Sequence, residues 1–183
     1  QTEGCAYTDV QWIFTPMVRV RTVAHFPDYV YEYLLGREGQ SMSPEVKVKA
    51  AGDMVRCTLG LADGYERFKE EAEGRPVHEY LKAFIVTIAK EPYVTTLTHY
   101  TPAAREALRR YDEALRKASP FIYEYIASPA VSSFMGFEYL SYWRRHPRLP
   151  RWLVQLLGRA YVRQIERRQA RRQKKEEAVS LSA

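Results

Sequence analysis

The stretch PEVKVKAAGDMVRCTLGLADGYERFKEEAE, residues 44–73, decides the fold class. Val46, Ala50, Met54, Cys57, Leu61, Tyr65 and Phe68 recur at intervals of 4-4-3-4-4-3. That spacing puts all seven side chains on one face of an α-helix. A second apolar row, Val48, Ala51, Val55, Leu59 and Ala62, runs down roughly the opposite side. A helix that is apolar on two sides is expected between neighbours, because either face left in water would cost free energy. Continuous, it would be about 45 Å long. Gly52, Gly60 and Gly64 each cost a helix about 1 kcal/mol relative to Ala. They point either to a break near Gly60 or to a neighbouring backbone approaching closely. Gly74 and Pro76 end the segment.

Outward from this helix, starts are marked by hydroxyl–proline pairs: Ser43-Pro44, Thr101-Pro102, Ser119-Pro120 and Ser128-Pro129. The hydroxyl can accept from a free backbone N–H, and proline at the first helical position removes an N–H that would have no partner. Arg75-Pro76 and Leu149-Pro150 are expected to act similarly without a hydroxyl. Val77, Leu81, Phe84 and Ile88 mark a helix expected to stop at Pro92, with an extended loop over 91–101. Ala104, Leu108, Tyr111, Leu115 and Ala118 form an apolar stripe with charged flanks, giving a helix over 102–118. Two shorter helices are expected near 120–127 and 129–143.

The ends differ from this body. Met17 to Val23 alternates apolar and basic residues, with Arg19 and Arg21 on one side. A lone strand has no partner in a helical protein, so residues 1–27 are expected to form an extended N-terminal arm lying on a neighbour. Residues 28–143 form the helical body. Residues 144–183 hold a basic hinge, an amphipathic helix beginning at Arg151, and a charged tail. The expected fold is all-α: an irregular bundle of five to seven helices in one domain, with a protruding basic C-terminal helix. Its 183 residues can bury about 70% of the unfolded chain's surface.

Charge is distributed unevenly. Residues 144–177 carry twelve Arg or Lys against three Glu, a local +9, which leaves −3 for the remainder of a chain whose total is +6. A near-neutral body with a basic arm calls for an anionic partner: lipid headgroups, an acidic protein or RNA. Arginine outnumbers lysine twenty to eight, which suits bidentate pairing with phosphate or carboxylate and is also what GC-rich coding would produce. Cys5 and Cys57 are too few for a disulfide framework and lack metal-ligand spacing, so a reducing compartment is expected. Gln1 stands at the start in place of Met, and one expectation from it is the removal of a targeting segment, pointing to an organelle matrix.

The chemistry-bearing motifs fail one by one. His78-Glu79 begins like a zinc-protease helix, but Lys82 stands where the second imidazole is needed. His25, His99 and His146 are scattered. Cys57 lies inside the apolar stripe and reads as core, and no G-x-S-x-G turn exposes a serine. No glycine-rich loop could cradle a phosphate, and Glu70-Glu71 lies in a solvated charge run. The Gly60–Gly64 spacing reads as helix packing. Phe121–Trp143, the nearest approach to an apolar span, contains Glu124, Glu138 and Pro129, so it is not a transmembrane helix. No catalytic group, cofactor or metal is expected.

Three surface features remain. Phe121–Trp143 holds eight of the chain's 24 aromatics, read either as a hairpin core or as a contact surface. The final helix carries a wide apolar arc, Trp152, Leu153, Leu156, Leu157, Ala160 and Tyr161, as far as Ile165. With arginines around its rim, the hinge and helix offer Arg144, Arg145, Arg148, Arg151, Trp152, Arg159 and Arg163 as a lipid- or partner-binding set. The tail Arg167, Arg168, Arg171, Arg172, Lys174 and Lys175 can neutralise phosphates, yet has no aromatic to stack on bases. The resulting expectation is a non-catalytic accessory subunit of a large multiprotein complex. The specific setting expected is peripheral at the mitochondrial inner membrane, in an ATP synthase or respiratory complex, with anionic lipid headgroups as additional partners. The alternative is a mitochondrial ribosomal subunit holding rRNA through its tail.

Overall fold

The computed structural model describes residues 7–28, 31, 50–98, 101–134, 137–146, 150, 152–156, 158–160, 163 and 167. The fold is all-α. Its helices are α1 (Thr8–Met17), α2 (Ala51–Ala72), α3 (Pro76–Thr98), α4 (Pro102–Ala118), α5 (Pro120–Ala127), α6 (Pro129–Ser132) and α7 (Tyr139–Arg145). Residues 152–156, 158–160, 163 and 167 are also helical. A two-residue antiparallel pair joins β1 (Ser133–Phe134) to β2 (Phe137–Glu138), with Ser133 opposite Glu138 and Phe134 opposite Phe137. The described residues form two compact units, one drawn from residues 1–92 and 111–124, the other from 93–110 and 125–183.

In the first unit, α2 is unbroken through Gly52, Gly60 and Gly64. Cys57, Leu61 and Tyr65 from the first predicted row are buried, but of the second row only Ala62 is, beside Leu61 on the same face. Ala51 is exposed and Val55 and Leu59 are half-buried, so the described part of α2 buries one broad face and not two opposite ones. Residues 44–49, with Ser43-Pro44, Val46 and Val48, lie outside the described residues. A Cβ on Gly64 would meet Phe14 at 3.8 Å, an ordinary contact, so no close backbone approach explains this glycine. Gly74 ends the connection to α3 with φ +74°, a backbone that favours glycine.

Residues 8–17, read from sequence as part of an extended arm, are helical. Gln11, Phe14 and Val18, spaced three and four apart, are buried on one face. Residues 21–28 have no regular secondary structure and are exposed. Gln11 Nε2 donates to the Cys57 carbonyl at 3.1 Å, and Phe14 stacks with Phe84 of α3 at 6.3 Å. Together these contacts fasten α1 to α2 and α3.

Helix α3 passes through Pro92 and is described as far as Thr98, although the sequence predicted a stop at Pro92 and a loop over 91–101. Pro92 takes away the N–H that the Ile88 carbonyl would accept, a loss of about 3 kcal/mol or more in an isolated helix. Packing outweighs it here, since Pro92 and Tyr93 are both buried. In the same turn the Ala89 carbonyl accepts from the Tyr111 hydroxyl of α4 at 2.8 Å.

The second unit contains Leu108, Ile126, Leu140, Trp143 and Val154 as buried apolar residues. The single helix expected over 129–143 is divided into α6, the β1–β2 pair and α7. The Ser132-Ser133 pair and Gly136 are poor helix formers, and Phe134 and Phe137 favour extended backbone. Ser141 Oγ donates to the Ala127 carbonyl at 2.9 Å, tying α7 to the end of α5.

Thr101 caps α4 through a bond from the Ala104 N–H at 3.1 Å, and Ser119 caps α5 through the Ile122 N–H at 3.2 Å. Ser128 departs from this pattern. Its backbone carbonyl, not its hydroxyl, accepts from Val131 and Ser132, because α6 is a single turn. Pro150 opens the final helical residues through bonds from the Leu153 and Val154 N–H groups.

Candidate interaction surface

Several polar side chains of the first unit are held in structural bonds. Buried Tyr65 shares a 2.8 Å hydrogen bond between its hydroxyl and His78 Nε2, and its ring stacks on His78 and on Phe121. Ser119 Oγ, besides capping α5, donates to Glu66 Oε2 at 2.6 Å. Burial pushes the Glu66 carboxyl up, but hydrogen bonds from Lys69 and Ser119, with the Lys69 charge, more than offset this and hold it below the usual carboxylate range. Arg75 donates through Nη1 to the Val18 carbonyl at 3.1 Å and through Nη2 to the Val20 carbonyl at 2.7 Å. Lys82, in the position where a second metal-binding imidazole would stand, pairs with Glu79 at 2.7 Å. Its hydrogen bond lowers the Glu79 carboxyl. Among the described residues no group of three or more His, Cys, Asp or Glu is placed to hold a metal ion. Nor, among them, is any helix long and apolar enough to cross a membrane.

The aromatic stretch from Phe121 to Trp143 is divided between interior and surface. Trp143 is buried and meets Tyr93 edge-on at 6.1 Å, while Phe121 is exposed at its outer side. The basic hinge is likewise divided. Arg144 is half-buried, with its guanidinium 5.8 Å above the Tyr93 ring and Nη2 donating to the Tyr93 hydroxyl at 3.2 Å. Arg145 is exposed and donates to the Ser141 carbonyl, and His146 stacks on Tyr142 at 4.2 Å. Arg148 and Arg151 lie outside the described residues.

Beyond the hinge the geometry is simple. Val154 and Gly158 are buried, which fixes the inward face of the helical residues. Trp152, Leu156, Arg159, Arg163 and Arg167 are exposed, with Trp152 at 66% and Leu156 at 58%. Their spacing, 4-3-4-4, places all five in one row along the helix. The apolar and basic side chains therefore follow each other on a single outward face. Sequence reading instead expected an apolar face with an arginine rim. Leu157, Tyr161 and Ile165 of the predicted apolar arc, and Arg168, Arg171, Arg172, Lys174 and Lys175 of the tail, lie outside the described residues.

A second exposed apolar set was missed in part from sequence. Trp12 is 69% exposed and Ile13 is also outward on α1, opposite Phe14, and Val23, Phe26 and Tyr31 stand out from the segment that follows. The available signal was the buried Gln11–Phe14–Val18 spacing, which assigns Trp12 and Ile13 to the other side. Comparison of the chain with protein-family models, with curated proteins and with solved structures finds no match.

Proposed function

We propose that this protein is a non-catalytic structural accessory subunit of a large multiprotein complex, seated peripherally at the mitochondrial inner membrane in an ATP synthase or respiratory complex. The observation that carries the reading is the display of large apolar side chains by the N-terminal segment: Trp12, Val23, Phe26 and Tyr31 are each exposed by more than two thirds. Apolar side chains shown to solvent in this way are what a neighbouring subunit covers. A structural role is further supported by the use of Tyr65, Glu66, Arg75, Tyr111 and Arg144 as links between segments. The basic C-terminal segment is complementary to the anionic lipid of that membrane.

Fractionation tests the reading. In a gentle-detergent extract of mitochondria the protein should sediment with the large inner-membrane complexes, and an alkaline carbonate wash of the membranes should release it. Recovery at the size of the free chain, or absence from mitochondria, would overturn the proposal.

A further inference from the structure

We infer that the exposed row Trp152, Leu156, Arg159, Arg163 and Arg167 is a docking face for an anionic phospholipid surface; this rests on the peripheral-membrane part of the function proposed above. The row points away from the protein, since Val154 and Gly158 occupy the buried side of the same helical residues. Its first two members are large and apolar, one helical turn apart. Its last three are guanidinium groups recurring every four residues.

The order of these side chains favours lipid over the other anionic partners. Trp is at home at the boundary between headgroups and acyl chains, where its ring is buried and its N–H stays wet. Leu156 follows it into that layer. Arginine lets its aliphatic stem lie along the apolar boundary while the guanidinium reaches outward to a phosphate, which it can grip through two N–H groups. A bilayer offers both layers without requiring a fixed register. A second copy of this row would oppose three arginines to three arginines in parallel alignment. A nucleic acid would satisfy the arginines and leave Leu156 in water. Arg145 of the same unit is also exposed, and the sequence after Arg167 is rich in Arg and Lys.

The test is flotation of the purified full chain with vesicles of phosphatidylcholine alone and of phosphatidylcholine mixed with phosphatidylglycerol. Binding should require the anionic lipid and fall as salt rises. Replacing Arg159, Arg163 and Arg167 together by Gln should weaken it on the order of a hundredfold, about fivefold for each charge. Trp152→Ala should weaken it roughly tenfold, because the apolar contact is lost while every charge remains. Neutralising the exposed Arg109 and Arg116 on α4 removes charge outside the row and should leave binding unchanged. Circular dichroism checks that each variant keeps its helix content. Equal binding to both vesicle types, or equal loss from the two sets of arginine variants, would overturn the inference. So would a triple variant that loses poly(U) retention while keeping vesicle binding. If vesicle binding fails but the chain still sediments with an inner-membrane complex, the lipid face alone is wrong.

Discussion

Arg75 sits in the turn between α2 and α3, yet its guanidinium reaches back to the carbonyls of Val18 and Val20. It thereby closes one turn and anchors the start of the exposed segment after α1. Hydrogen bonds from a charged donor contribute about 1.5–3 kcal/mol. Arg75→Ala should lower unfolding free energy by about 2 kcal/mol in denaturant titration and speed tryptic cleavage at the exposed Arg21. Arg75→Lys should restore less than half, since an ammonium cannot reproduce the two-pronged geometry. Ser119 is the other residue with two tasks. Because the Glu66 carboxyl is held low in the folded protein, its contribution is present above the ordinary value of 4.5 and is lost as pH falls through the lowered one. Ser119→Ala should cost about 1–2 kcal/mol at neutral pH. The gap from the parent protein should narrow below pH 4.5 as Glu66 protonates, leaving only the cap. A constant gap across the acid range would show that Glu66 gains nothing from Ser119.

Among the elements, α2 shows how tertiary packing overrides local preference. Its three glycines suggested a break, but Leu61, Ala62 and Tyr65 bury enough apolar surface to hold the helix straight through them. A Cβ at Gly52 would meet nothing within 4 Å, so Gly52→Ala should raise stability by about 0.5–1 kcal/mol. Gly74 gives the opposite sign: at φ +74° an alanine is strained, and Gly74→Ala should cost about 1 kcal/mol. Thermal melts of the two variants check both. Equal shifts would contradict the backbone assignment. Helix α3 carries the same lesson at Pro92, whose local cost predicted a stop. The Tyr111–Ala89 bond comes from a residue distant in sequence, and no window around Pro92 contains it.

At the scale of the molecule, the all-α class and most helix starts were legible because they rest on local signals, such as the α2 stripe and the Thr101-Pro102 and Ser119-Pro120 pairs. Helix α1 was less visible. Its buried face has only Gln11, Phe14 and Val18, and the basic–apolar alternation from Met17 onward drew attention to extended backbone. The candidate surface was legible in composition but not in arrangement. Sequence identified Trp152 and the arginines, whereas only the burial of Val154 and Gly158 shows that Trp152, Leu156, Arg159, Arg163 and Arg167 face outward together. Similarly, nothing in the sequence near Arg144 reveals Tyr93, which lies 51 positions away and engages its guanidinium. The measurement that most directly tests the accessory-subunit account is affinity purification of the tagged full chain in gentle detergent, with and without nuclease, followed by identification of what accompanies it. The account predicts the subunits of one inner-membrane energy-conversion complex, recovered equally in both samples. Recovery of ribosomal proteins that vanish on nuclease treatment would contradict it and assign the basic tail to RNA.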